Sequence, residues 1–150
     1  RVQGKAVGGG VGLAAATDYC LATKYSSTKL SELAIGIGPF VVGPAVERKL
    51  GSSAFSAMTI NATKWFDANW SREKGLFTEV FETSEELDIA VEKLASTLSK
   101  SNPEAMEKLK KIMWSGTEDW DTLLEERAES SGKLVLSDFT KNAIAKFKSN

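Results

Sequence analysis

Three consecutive glycines and a later glutamate are the residues of this sequence best suited to chemistry. Gly8, Gly9 and Gly10 run into a stretch of helix-forming alanines, although glycine weakens any regular element because it has the most backbone freedom to lose. Glycine at a strand-to-helix turn leaves backbone N–H groups uncovered, so that a carbonyl oxygen can approach them closely. Glu32 is a carboxylate that could act as acid or base beside such a turn. Together these residues suit a reaction that passes through an enolate.

Histidine is absent from the 150 residues, and this narrows the possible chemistry. Its absence excludes Ser-His-Asp and Cys-His nucleophile systems and most catalytic zinc sites, so no metal is expected. The formal net charge of -1 argues against nucleic acid as a partner, which requires a basic surface. No apolar run reaches the length of a membrane span. The single cysteine, Cys20, excludes an internal disulfide framework and favours a reducing compartment. We therefore expect a soluble, cytoplasmic protein.

The glycine segment also fits a second type of site. Gly10 to Ala15 matches the G-x-G-x-x-A pattern of dinucleotide-binding turns, and Glu32 follows at about the spacing of a ribose-binding acid. Against this, the preceding residues are not a continuous apolar run, and the back half lacks the strand–helix alternation of a doubly wound sheet. A tight turn without any ligand is the third possibility. The residues alone leave these alternatives open.

The elements that must position these residues are short strands and helices. Residues 1–7 and 19–23 are predicted as strands, with a helix over 10–17 between them. The next elements are predicted as helices over 43–50, 53–61 and 67–74 and a strand over 78–81. Gly51 is expected to end the first of these helices.

Every element predicted after residue 82 is a helix. Thr83 to Glu86 form a capping-box sequence, and Asn102-Pro103 supply an N-cap followed by proline at the first helical position. A longer helix from about residue 118 has an apolar face that is expected to turn inward. The chain therefore divides into an α/β part, residues 1–82, and an all-helical part, residues 83–150.

The order of these residues resembles that of a known enzyme family, the enoyl-CoA hydratase/isomerase (crotonase) family. The resemblance is carried by Val2 to Ala14, Asp18, Ala22, Leu30 to Leu33, Gly36, Pro39, Lys74 to Val80 and Asn142 to Phe147. It implies an α/β, crotonase-like (ClpP/crotonase) spiral fold, of which this chain would be the C-terminal part. Residues 1–82 would carry the glycine loop and the catalytic glutamate. Residues 83–150 would be a mostly helical oligomerisation region.

The resemblance also implies a role for each site residue. Glu32 would be the catalytic carboxylate, and the N–H of Gly9 would be one of two oxyanion donors to the carbonyl of a coenzyme A thioester. The residues implied to bind the substrate are Gly8, Gly10, Gly12, Pro39, Phe40 and, at the coenzyme A phosphates, Lys146. No cofactor is implied beyond the coenzyme A of the acyl-CoA substrate.

Two departures from the hydratase pattern bear on the reaction. Hydratases of the family usually carry a second glutamate, which would fall at Gly12, and many are glycine-rich where this chain has Phe40-Val41-Val42. Two carboxylates suit the concerted addition of water, whereas one suits removing a proton from one carbon and returning it to another. The resemblance therefore favours double-bond isomerisation over hydration.

The family's first half, which supplies the other oxyanion donor, is not among these 150 residues. We therefore expect the chain to be the C-terminal part of a full member and to be inactive alone. The resemblance implies assembly as a homo-trimer or a dimer of trimers through the helical part. The alternative functions are a non-catalytic assembly module with a vestigial site and a dinucleotide-binding fragment.

Overall fold

The computed structural model describes the backbone of residues 1–148 and the side chains of residues 1–146. Two small β-sheets are formed by the first 81 of these residues. The strands are β1 (Lys5–Val7), β2 (Leu21–Thr23), β3 (Ser27–Lys29), β4 (Phe66–Asp67) and β5 (Glu79–Phe81). β1 pairs in parallel with β3, β3 pairs antiparallel with β4, and β2 pairs in parallel with β5. The side chains of Phe147 and Lys148 and all of residues 149–150, at the end of the predicted helical part, lie outside the described residues.

Seven helices are found in the described residues. They are α1 (Gly9–Ala15), α2 (Gly43–Ile60), α3 (Ala68–Glu73), α4 (Ser84–Leu98), α5 (Pro103–Met113), α6 (Trp120–Val135) and α7 (Asp138–Lys148). A 3-10 turn, Glu32–Ile35, follows β3. Gly51 interrupts α2 with φ 77° and ψ 160°, which confirms the break predicted there. The first strand is shorter than predicted, and α1 begins one residue earlier.

Side-chain caps explain where two of the later helices begin. The Thr83 hydroxyl accepts a hydrogen bond from the N–H of Glu86 at 3.1 Å, at the start of α4. The Asn102 side-chain oxygen accepts from the N–H groups of Glu104 and Ala105 at 2.9 and 3.2 Å, at the start of α5. These bonds satisfy N–H groups that have no partner inside a helix. Both predicted N-caps are confirmed.

The hydrophobic core is formed by residues 11–77. Its fully buried side chains include Val11, Leu30, Val46, Met58, Leu76 and Phe77. They come from α1, α2 and the segments around the two sheets, and α1 is held between α2 and the sheet that contains β1. Burying apolar side chains on both sides of α1 fixes the helix and the glycine turn that precedes it.

The apolar faces of α5 and α6 are not buried within this chain. Neither helix contains a buried residue, and Ile112 on α5 is 72% exposed. Trp120, Leu123 and Leu124 of α6 are half-buried, and α6 contacts α7. The face of α6 that was predicted to turn inward is therefore only partly covered by the described elements.

A polar contact joins α5 to the end of α1. The Asp18 carboxylate accepts hydrogen bonds from the Trp114 ring nitrogen at 2.6 Å and from Lys110 at 2.7 Å. Partial desolvation opposes the ionised carboxylate, but the bonds from Lys110 and Trp114 outweigh it and hold the pKa of Asp18 below its ordinary value. The charged form of Asp18 thus stabilises the position of α5.

No helix in the described part of the chain is long and apolar enough to cross a membrane. Among the same residues, no group of three or more histidine, cysteine, aspartate or glutamate side chains is placed to hold a metal ion.

Candidate functional site

Gly8 forms the turn that connects β1 to α1. It has φ 51° and ψ -112°, a conformation that a residue with a side chain rarely adopts. Its N–H donates to the carbonyl oxygen of Lys29 at 3.0 Å, and its own carbonyl accepts from Val11 and Gly12 at 2.9 and 3.1 Å. These bonds attach the turn to β3 on one side and to α1 on the other.

The N–H groups of Gly9 and Gly10 begin α1. Neither donates to an acceptor among residues 1–148, as expected for the first N–H groups of a helix that lacks a side-chain cap. Both residues are exposed, and a Cβ built on Gly9 would have no atom within 4 Å. The two amides therefore have no acceptor among the described residues and are available to a carbonyl oxygen.

Glu32 is the first residue of the 3-10 turn after β3, and its carboxylate reaches the glycine turn. A Cβ built on Gly8 would stand 2.8 Å from Glu32 Oε1. The parallel pairing of β1 with β3 causes this approach, because it places the ends of the two strands, Val7 and Lys29, side by side. The structure thus brings together two of the site residues inferred from sequence, Gly8 and Glu32, with Gly9 adjoining them.

The Glu32 carboxylate lies in a poorly solvated position. Its Oε2 is buried and has no hydrogen-bond partner among the described residues. Burial raises the pKa of Glu32 above the ordinary glutamate value, against a smaller opposing effect of its own backbone N–H. A carboxylate with a raised pKa binds a proton more tightly, which suits a group that must both take and return one.

Gly12 lies one turn further along α1 and faces Val42, which precedes α2. A Cβ built on Gly12 would stand 2.6 Å from Val42 Cγ1 and 2.8 Å from Val42 Cβ. Side chains do not approach that closely, so Val42 fills the space that any side chain at position 12 would need. Sequence reasoning missed the role of Val42, and no local motif could have indicated it, because the contact joins two separate elements.

Pro39 and Phe40 belong to the segment that leads into α2. Pro39 is buried, and its carbonyl oxygen accepts from the N–H of Gly43 at 2.8 Å. The ring of Phe40 packs over Gly38, and the Phe40 carbonyl accepts a long hydrogen bond from Arg127 of α6 at 3.5 Å. These contacts tie the segment to α2 and α6.

The last helix, α7, packs against the 3-10 turn that carries Glu32. Phe139 and the fully buried Thr140 of α7 lie directly against Gly36. Lys146 is exposed further along α7. The end of the helical part therefore supports the position of the catalytic candidate, which the sequence did not indicate.

A strand–turn–helix with free glycine amides, and a partly buried carboxylate beside it, form the candidate site. The chain belongs to the enoyl-CoA hydratase/isomerase family, whose model matches residues 1–147. The fold is accordingly crotonase-like.

Named relatives agree with this assignment. The chain is 32% identical over 113 residues to the bacillaene synthase dehydratase PksH of Bacillus subtilis (strain 168), covering 75% of this chain and 42% of that protein. It superposes with a TM-score of 0.89 at 28% identity on a putative enoyl-CoA hydratase from Mycobacterium avium paratuberculosis K-10, covering 99% of this chain and 58% of the other. A second enoyl-CoA hydratase, from Mycobacterium avium, gives a TM-score of 0.88 at 28% identity, covering 98% and 57%. The chain thus spans about half the length of the relatives that it matches.

Proposed function

We propose that this chain is the C-terminal part of an acyl-CoA enzyme in which Glu32 is the acid/base and the N–H of Gly9 is one of two oxyanion donors. The enzyme holds the thioester carbonyl at the Gly9 amide while Glu32 removes a proton from the carbon beside it. The resulting enolate is stabilised because a positioned N–H group interacts most strongly with the charge that develops on the oxygen. The contact between Glu32 and Gly8, with the free amides of Gly9 and Gly10 beside it, supports this assignment.

Double-bond isomerisation is favoured over hydration. Glu32 takes a proton from C2 of a 3-enoyl thioester, the double bond moves from C3–C4 to C2–C3, and the same carboxylate returns the proton to C4. One carboxylate is sufficient for this transfer, whereas addition of water is helped by a second one. The observation that carries this preference is the contact of Val42 with Gly12, since it leaves no room for a carboxylate side chain at position 12.

Dehydration of a 3-hydroxyacyl thioester is the second candidate. It is favoured by the 32% identity to a protein named as a dehydratase. The reaction begins with the same proton removal at C2, and the protonated Glu32 would then give its proton to the departing hydroxyl group. The two candidates therefore share the enolate and differ in which atom receives the proton.

The remaining site residues have supporting roles in this proposal. Gly8, Gly10 and Gly12 keep backbone close to the thioester, and Pro39 and Phe40 border the substrate. Lys146 meets the coenzyme A phosphates. Coenzyme A enters as part of the substrate, and no other cofactor is needed. We further propose that the protein is cytoplasmic and assembles as a homo-trimer or a dimer of trimers, and that the 150-residue chain alone is inactive because it lacks the second oxyanion donor.

The test is product analysis with the full-length protein and three substrates of one chain length: a 3-enoyl-CoA, a 2-enoyl-CoA and a 3-hydroxyacyl-CoA. We expect isomerisation of the first to exceed hydration of the second.

Gly12→Glu should fold poorly because of Val42, whereas Gly12→Glu combined with Val42→Gly should fold and gain hydration. Faster hydration than isomerisation by the unmodified protein would overturn the isomerase preference, and dominant reaction of the hydroxyacyl substrate would establish the second candidate. Absence of both turnover and coenzyme A binding would instead support the assembly module.

A further inference from the structure

A groove of about 470 Å³ runs beside the candidate site. Val7, which precedes Gly8, and Ser31, which precedes Glu32, form its near edge. Apolar side chains form most of the remaining wall, with Ala34 and Ile35 from the 3-10 turn and Ile144 from α7. The groove thus offers a mainly apolar surface next to the candidate site.

Lys29 is the one charged residue that lines this groove within the described part of the chain. It is the last residue of β3 and is half-buried, and its ammonium lies 4.5 Å from the centre of the Trp65 ring. The ammonium of Lys5 lies 4.9 Å from the same ring. In the pairing of β1 with β3, Val7 lies opposite Lys29, and Lys5 shares a strand face with Val7.

Within the part of the chain that the structure describes, neither of these two ammonium groups has a carboxylate partner. The ion pairs found among the described residues do not include Lys5 or Lys29. Both cations instead share one aromatic ring, which is a weaker contact at a partly exposed position than a charge-assisted hydrogen bond to an anion. As far as the described residues show, the groove thus combines an apolar wall with a lysine that has no carboxylate partner.

We propose that the groove binds an acyl chain with a carboxylate at its far end, and that Lys29 receives that carboxylate. This inference rests on the proposed function, since it places the thioester of the same molecule at Gly9 and Glu32. The apolar wall suits the carbon chain, and the ammonium of Lys29, supported by that of Lys5, suits the anion. The substrate class is therefore a dicarboxylic acyl thioester rather than a simple fatty acyl thioester.

Binding of two unreactive probes tests the proposal without requiring turnover. Glutaryl-CoA and pentanoyl-CoA have acyl chains of equal length and differ in the terminal carboxylate. By calorimetry with the full-length protein, we expect glutaryl-CoA to bind about tenfold more tightly, as for a hydrogen bond to a charged group. Lys29→Met should remove this preference and leave pentanoyl-CoA binding unchanged, and Lys29→Arg should retain most of it.

Lys64→Met is the matched control, because Lys64 lies over Phe66 at 5.0 Å and does not line the groove. It should leave the preference unchanged. Lys5→Met should reduce the preference partly, which keeps the test valid if Lys29→Met folds poorly. If Lys29→Met weakens the binding of both probes equally, Lys29 meets a phosphate of coenzyme A instead. If the unmodified protein binds both probes equally well, the groove does not recognise an acyl carboxylate. Either result overturns the inference.

A failure of the proposed function can be distinguished from a failure of this inference. Glu32→Gln should retain the preference for glutaryl-CoA while turnover is lost. If Glu32→Gln keeps full turnover but Lys29→Met abolishes the preference, the groove assignment stands and the assignment of Glu32 as acid/base is wrong.

Discussion

The Glu32 carboxylate lies so close to Gly8 that it could not keep its position if residue 8 had a side chain. A Cβ on Gly8 would stand 2.8 Å from Glu32 Oε1, and Gly8 itself has a positive φ of 51°. The turn that exposes the Gly9 amide is therefore the same turn that admits the carboxylate. Donor and acid/base are positioned by one local structure, which is why substitutions within it have separable and testable effects.

Glu32→Gln in the full-length protein should abolish turnover and preserve acyl-CoA binding. The amide keeps the shape of the carboxylate but cannot accept the proton, and losing a positioned acid/base costs about two to four powers of ten in rate. Steady-state kinetics and calorimetry measure the two effects separately. Glu73→Gln, on the exposed surface of α3, is the control and should keep the parent rate. A Glu32→Gln protein as fast as the parent would contradict the mechanism.

The same substitution should make the protein more stable at neutral pH. Burial raises the pKa of Glu32 in the folded protein. The contribution of Glu32 to the free energy of unfolding is therefore fully present below its pKa in the unfolded chain, and it is lost as the pH rises through its pKa in the folded protein. Glu32→Gln should therefore unfold a few degrees higher than the parent at pH 7, and this difference should disappear in acid, where Glu32 is protonated in both states. Thermal unfolding followed by circular dichroism across pH measures this. A constant difference at all pH values would point to a packing effect instead.

Gly8→Ala should reduce both stability and activity. Alanine at position 8 would have to adopt a backbone conformation that is strained for a residue with a side chain, which costs on the order of 1–3 kcal/mol. Its methyl group would also displace the Glu32 carboxylate from the turn. Chemical denaturation gives the first effect and steady-state kinetics the second. Gly4→Ala is the matched control, since a Cβ there has no atom within 4 Å. Full activity in Gly8→Ala would show that the contact between Gly8 and Glu32 is not needed for catalysis.

Gly9→Pro should lower both acyl-CoA binding and the rate, by removing the N–H donor. Proline is tolerated at the first position of a helix, so α1 should persist. The loss of one oxyanion donor costs about 10²–10³ in rate. Gly9→Ala keeps the N–H and has open space for its Cβ, so its loss should be much smaller. Equal losses in the two variants would mean that the space at Gly9, rather than its N–H, is what matters.

The chain should self-associate through its helical part. Large apolar side chains on α4, α5 and α7 are widely exposed, with Ile89 at 70%, Ile112 at 72% and Phe139 at 68%. Exposed apolar surface of this extent is typical of an interface. Sedimentation velocity at micromolar concentration should show an oligomer, and a sharp monomer with a cooperative unfolding transition would contradict the expectation. Ile112→Glu should weaken association, whereas Glu107→Gln, also on α5, should not.

The features that the sequence predicted well are those decided by neighbouring residues. Thr83 and Asn102 mark the starts of α4 and α5, because a cap bonds to an N–H only two or three residues away. Gly51 interrupts α2 for a similarly local reason, since its positive φ is easily reached only by glycine. The inward face predicted for α6 is only partly covered, because burial depends on what else is present to cover a helix.

By itself, then, the sequence determined the glycine turn and the helix caps, which follow from residue type and short spacing, and it indicated Glu32 through the resemblance to the family. Only the tertiary structure decided that Glu32 touches Gly8, since that contact requires the parallel pairing of β1 with β3. It also decided that Val42 closes the space at Gly12 and that α7 supports the turn of Glu32. These contacts join segments distant in the chain, and their geometry follows from how the core packs α1, α2 and the sheets together.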